Sequence, residues 1–248
     1  MSWLRELRRR RIRRRPFPAA WREWLQRRAP FYEALPDPDR RKFESDLMVF
    51  EREKAFIGAG GLEVDEEVRV VVSAAAVRLV VRLDLTYYDR VHEIIVYPGA
   101  YLHPDEDGVI LGEVSSWNTV VLSWKDVVAG LQNPRDGRDT ATHEFAHVLD
   151  RASGAFDGTP KLRAREDYGP WARVLSAHFL RLRAGDGGER ALLRDYAATN
   201  EAEFFAVATE VFFEKPRLMR RRAPDLYEEL RHFYGFDPAA VPPEAARS

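Results

Sequence analysis

Apolar positions along the chain change period several times, and each change marks an expected element. From Pro16 to about Ala59 they recur at helical spacing, as at Phe43, Leu47 and Phe50. Pro36 and Pro38 interrupt that stretch, so it reads as two helices, with Asp39 a plausible cap for the second. GAGG at 58–61 reads as a flexible turn; it lacks the spacing and the Lys-Ser/Thr of a phosphate loop. Short runs rich in β-branched residues follow, VRVVVS (68–73), EIIVYP (93–98), VILGEV (109–114) and TVVLSW (119–124), all with the character of strands. Between the first two, AAAVRLVVRLDL reads as a helix. Further helices are expected over Trp124–Gln132, from about Arg138–Thr140 onward, near 170–183, and, after a glycine break at 185–188, from Thr199 to Phe213. Helices, a small mixed sheet, then helices again make an α+β fold.

Composition narrows the function. The chain has 248 residues, 45% hydrophobic and 32% charged, the profile of a folded globular protein with room for one large domain. Its net charge of −1 excludes a general polyanion binder, and its lack of cysteine excludes a thiolate metal site or a cysteine nucleophile. Histidine and carboxylate are the strong metal ligands that remain. No uncharged run approaches the ~20 residues that span a bilayer, and the N-terminus has no apolar stretch of a secretory signal. The expected address is therefore the cytoplasm. Positions 5–15 carry eight arginines against one glutamate, which reads as a solvated, flexible lead. Trp3, Leu4, Leu7 and Ile12 could share one face of a short helix there, leaving lipid contact open, while nucleic-acid binding through the arginines is the lesser alternative.

Two of the six histidines stand four apart in HEFAH, residues 143–147. On a helix, positions i and i+4 lie on one face a turn apart, so His143 and His147 can converge on one tetrahedral ion. Glu144 points beside that ion and can take a proton from water and return it to a leaving amine. The extended HExxHxxGxxH form fails, because Asp150 and Ser153 stand where it needs glycine and histidine. A glutamate from a later helix is the other standard third ligand. TNEAEFFAVATEVFFEKP offers Glu201, Glu203, Glu210 and Glu214. Glu203 has a competing role, since NEAE with Asn200 as N-cap matches a capping box. Glu201, in its NE pair, has a rival claim as ligand, and periodicity does not separate them. Asp150 is a candidate to accept a hydrogen bond from the ring nitrogen of a ligand histidine that faces away from the ion.

HEFAHVLD followed by YAATNEAEFFAVATEVFFEKP resembles the Mlc titration factor A (MtfA) family of zinc-dependent peptidases. GGLEV (60–64), YYDRVHEIIVYPGAY (87–101), GEVSSWNTVVLSW (112–124) and FYGFDP (233–238) extend the likeness, in order, over about 16–238. That family is similar in its catalytic region to the peptidase domain of anthrax lethal factor, a gluzincin. The resemblance implies a zincin-like domain over 16–238 with a helical N-terminal subdomain to about 59, a lead at 1–15 and a tail at 239–248. It also implies one Zn2+ held by His143, His147 and Glu203, Glu144 as general base, and Tyr196 as hydrogen-bond donor to the oxyanion. Aminopeptidase-like hydrolysis of peptides is the implied activity, and a transcriptional repressor of the Mlc type an implied partner. Asn118 and Thr119 replace the Gly-Pro usual before VVLSW, on the strand taken to be the edge that an extended peptide joins. The alternative is a zinc-containing binding protein that titrates a regulator, with Trp21, Trp24, Phe31 and Tyr32 as its contact face.

Overall fold

The computed structural model describes residues 3–102, 109–110, 112–116, 118–133, 136–185 and 187–241. Its first helices are α1 (Trp3–Arg13), α2 (Ala19–Arg28), α3 (Phe31–Ala34) and α4 (Asp37–Glu53), followed by β1 (Ala55–Gly58) and α5 (Glu66–Leu79). The strands β2 (Glu93–Tyr97), β3 (Tyr101–Leu102), β4 (Val109–Ile110), β5 (Gly112–Ser116) and β6 (Thr119–Ser123) come next. Helices α6 (Trp124–Gln132), α7 (Thr140–Arg151), α8 (Tyr168–Arg183), α9 (Gly187–Arg190), α10 (Glu201–Glu214), α11 (Pro216–Arg222) and α12 (Pro224–Tyr234) complete the chain. His103, Trp117 and the tail beyond Val241 lie outside the described residues.

The α+β arrangement expected from the pattern, and the zincin-like fold that the resemblance implies, are what is found. One sheet has the order β1-β2-β6-β5, with β1, β2 and β6 parallel and β5 antiparallel on β6; β3 and β4 form a separate two-stranded ribbon. Helix α6 starts where β6 ends, because the Ser123 hydroxyl accepts the Asp126 N–H as an N-cap.

VRVVVS, expected as a strand, is instead the first half of α5. Asp65 caps it by accepting the Val68 N–H at 2.9 Å, and Glu66 and Glu67 sit where the helix dipole favours negative charge. The helix is buried from Val70 to Leu79 and packs against α2, α4, α6 and α7. A helix enclosed on all sides has no polar stripe, so its 3.6-residue period does not show in the sequence. Two further expectations change. Helix α4 begins at Asp37 behind Pro36, and Asp39 does not cap it but receives both ends of the Arg82 guanidinium at 2.9 Å. The helical stretch also ends at Glu53, and Ala55–Gly58 forms the edge strand β1. Trp21 and Tyr32 are buried and Trp24 and Phe31 pack on the same core, so they do not form an exposed contact face.

The basic lead is not a loose arm. Residues 3–13 form α1, and its inner face docks on α4 through Ile12 and three arginines. Buried Arg9 meets Glu53 at 2.6 Å and Asp89 at 2.7 Å; Arg5 adds a second bond to Glu53 at 2.9 Å, and Arg13 reaches Asp46 at 3.0 Å. A buried arginine needs such partners, and three carboxylates on one surface select helix over solvated coil. Burial raises the Glu53 carboxyl, but the bonds from Arg9 and Arg5 outweigh it and hold the group down at about 2. Its stabilising contribution is therefore full above the unfolded value of 4.5 and disappears as pH falls toward 2. Arg9→Met is expected to lower unfolding stability by about 3 kcal/mol at neutral pH. In urea unfolding the gap between variant and parent should narrow near pH ~3, and a gap independent of pH would show the pair to be inert.

Candidate metal centre

Helix α7 exists because its two sides have different work. Asp139 caps it, accepting the Thr142 N–H at 2.9 Å and the Thr142 hydroxyl at 2.7 Å. Phe145 points into the core, edge-on to Phe50 and Tyr88 at ring distances of 6.1 and 5.7 Å. With Phe145 fixed inward, His143 and His147 fall on the opposite side, a turn apart.

Helix α10 brings the carboxylate. Asn200 accepts the Glu203 N–H at 2.9 Å, so the cap uses the backbone of Glu203 and leaves its side chain free for the histidines. The Glu203 carboxylate lies 3.0 Å from His143 Nε2 and 3.5 Å from His147 Nε2, and the two Nε2 atoms are 3.1 Å apart. One ligand atom from each of the three residues lies within 4.8 Å of the others. Three Lewis-basic atoms facing one point repel each other unless a shared proton or a metal cation lies between them. Tetrahedral bonds of ~2.0–2.1 Å separate neighbouring ligands by about 3.3 Å, so the spacing fits a small divalent ion. Of the other candidates, Glu201 is exposed, while Glu214 is buried and its pKa is raised to about 8, by burial and then by Asp139.

Glu210, another of the glutamates offered as third ligand, lies behind His143 rather than with Glu203. Buried to 1% exposure, it faces His143 Nδ1 at 2.7 Å, accepts the Asp139 N–H at 2.8 Å, and takes Arg194 at 2.6 and 3.0 Å. It thus orients the His143 ring from behind and ties α10 to the cap of α7. Arg194 carried no recognisable signal in the sequence. Burial lowers His143, but Glu203 and Glu210 on its two nitrogens more than offset this and push it up to about 10. The same field favours a metal cation. Burial lowers His147, and the nearby His143 lowers it further.

Asp150 does not hold a ligand histidine. It accepts the Gly158 N–H at 2.9 Å, and Gly158, at φ 75, presses so close to the Glu201 carbonyl that an added Cβ would lie 2.4 Å from it. Asp150 therefore supports the turn on which the start of α10 rests.

Tyr196 sits in a 3₁₀ turn just before α10, its ring 5.9 Å from that of His143 and half exposed. Burial first, then the charges of Glu203 and Glu144, push its phenol up to about 12, so it stays protonated as a donor. Glu144 is buried beside the histidines, and its charge acts on both His143 and Tyr196. The expected peptide edge moves by one strand: β6 is paired on both sides, by β2 and β5, so β5 is the terminal strand, and it lies against α7. The Asn118 carbonyl accepts the N–H groups of His92 and Glu93 at 2.8 and 3.1 Å, on the β2 side.

A family model described as glucose-regulated metallo-peptidase M90 matches residues 4–235. An uncharacterized protein of Synechocystis sp. is 35% identical over 251 residues, spanning 95% of this chain and 90% of its own. Mlc titration factor A of Cronobacter sakazakii is 30% identical over 236 residues, covering 89% and 87%. Mlc titration factor A of Yersinia pestis is 30% identical over 239 residues, covering 90% and 86%.

Removing the ring support behind His143 gives a direct check. Glu210→Gln should weaken metal binding about 10- to 100-fold in a chelator-competition titration. Unchanged affinity with only lower thermal stability would make Glu210 a packing residue.

Proposed function

This chain belongs to the glucose-regulated metallo-peptidase M90 family, and on that premise we propose that it is a zinc-dependent peptidase with aminopeptidase-like activity on short peptides. The observation that carries the reading is the convergence of His143, His147 and Glu203 on one point with Glu144 and Tyr196 beside it. We assign the ligands to the first three residues; two imidazoles and a carboxylate with no thiolate suit zinc. When bound, the ion would supply Lewis acidity, making water more acidic and the scissile carbonyl more electrophilic.

The chain's own residues do the rest. An extended substrate pairs with β5, the terminal strand beside α7, which holds its backbone along the sheet. Glu144 accepts the proton of the attacking water and delivers it to the departing amine. The Tyr196 phenol, kept protonated, donates to the oxygen on which negative charge develops. We assign this activity to the cytoplasm.

The name of the relatives, titration factor, favours a second reading, in which the protein binds a transcriptional repressor of the Mlc type without cleaving it. Glu144 separates the two. With zinc content matched, Glu144→Gln should lower peptide hydrolysis by several orders of magnitude, roughly the scale seen when a catalytic general base is removed. No hydrolysis by either protein would favour binding alone, and equal measurable rates would remove Glu144 from the chemistry. Tyr196→Phe should reduce kcat about 10²-fold with little change in KM, as expected for a donor used in the transition state. An effect on KM alone would make Tyr196 a substrate-contact residue.

A further inference from the structure

Helix α1 has two unlike faces. Its inner face is used up by the ion pairs of Arg5, Arg9 and Arg13 and by Ile12. Its outer face carries Trp3, Leu4 and Leu7, which are 69%, 59% and 50% exposed. At about 100° per residue, Leu4, Leu7 and Arg11 fall within about 60° of one another and opposite Arg9. Exposed Arg8, Arg10 and Arg11 border these side chains, and exposed Arg14 and Arg15 follow the last turn. Arg10 keeps a loose pair with Glu6 at 3.4 Å; the others are paired with no carboxylate among the described residues. The remaining exposed large apolar side chains, Ile57, Phe156, Tyr168, Leu180 and Tyr196, are scattered along the chain, so α1 holds the one sequence cluster among the described residues.

Docking explains the inner face and leaves the outer one without a role. Three large apolar residues held in water by a rigidly paired helix are costly, and arginines crowded around them add mutual repulsion. We propose that the outer face of α1 is an interfacial anchor that seats the protein on a bilayer surface containing anionic lipid. Trp3, Leu4 and Leu7 enter the headgroup–acyl boundary, where an indole is at home, while the arginines meet lipid phosphates. Charge distribution supports one point of attachment. The chain's net charge is −1 and residues 1–15 contribute a surplus of seven from eight arginines and one glutamate, so the remainder carries −8. An anionic surface attracts the lead and repels the rest, which turns α1 toward it. Nucleic acid would satisfy the arginines, but it gives no burial to Leu4 and Leu7.

Flotation of the full chain with vesicles tests this. Binding is expected to phosphatidylcholine vesicles containing phosphatidylglycerol, and not to phosphatidylcholine alone. Trp3→Ser with Leu7→Ser should lower the bound fraction about tenfold at constant salt, as should Arg11→Glu with Arg14→Glu. Because all four side chains are exposed, thermal unfolding of both double variants should match the parent. No flotation with anionic vesicles would overturn the proposal. So would flotation indifferent to Trp3 and Leu7, which charge alone explains, or retention of duplex DNA without vesicle binding, which would assign the face to nucleic acid.

Discussion

The carboxylate of Glu210 fixes how α7 and α10 lie against each other, and the site follows from that. It is shared among the Asp139 N–H at the cap of α7, His143 Nδ1 and the Arg194 guanidinium. A rotation of α7 by one residue, about 100°, would turn His143 away and bring Phe145 toward the site. Such a rotation would break the Glu210 bonds and the packing of Phe145 on Phe50 and Tyr88 together. The polar and apolar sides of α7 therefore select the same orientation. A carboxylate so deeply buried is tolerable because Arg194 neutralises it, and the half-exposed guanidinium keeps its own hydration.

Support from the opposite side has a different chemistry. Asp150 holds the Gly158 turn, Trp171 donates its indole N–H to the Gly158 carbonyl at 3.1 Å, and the start of α10 rests on that turn. The aromatic side of α10 then locks against the C-terminal helices, with Phe205 against Trp171 and Phe212 stacked on Tyr234. Glu203 is thus placed by a cap, a glycine contact and an aromatic core, none of which touches its carboxylate.

Much of this was legible in the sequence, for physical reasons that differ by element. Amphipathic or well-capped segments were readable: α6 has Ser123 before it, and α10 has Asn200. The pair in HEFAH was readable because its spacing is the helical repeat. The first half of α5 is not, because enclosure removes its polar stripe and its valines resemble a strand, whereas its second half, the start of AAAVRLVVRLDL, reads as helix. The docking of α1 was hidden because Glu53, Asp89 and Asp46 are far from the arginines in sequence. Within the site, the capping role and the proposed ligand role of Glu203 compete in the sequence but not in space, since its backbone N–H meets Asn200 while its carboxylate faces His143. The role of Asp150 is not legible, because its place on the HEFAH helix says nothing about which neighbour reaches its carboxylate first.

The proposed peptidase depends on His143, His147 and Glu203 together holding one divalent ion. X-ray absorption at the zinc edge, with metal content measured on the same sample, tests it most directly. One zinc per chain is expected, with nitrogen and oxygen neighbours at ~2.0–2.1 Å and imidazole scattering from two rings, a two-ring signature lost in His147→Ala. Zinc far below one per chain, or a shell without imidazole, would contradict it.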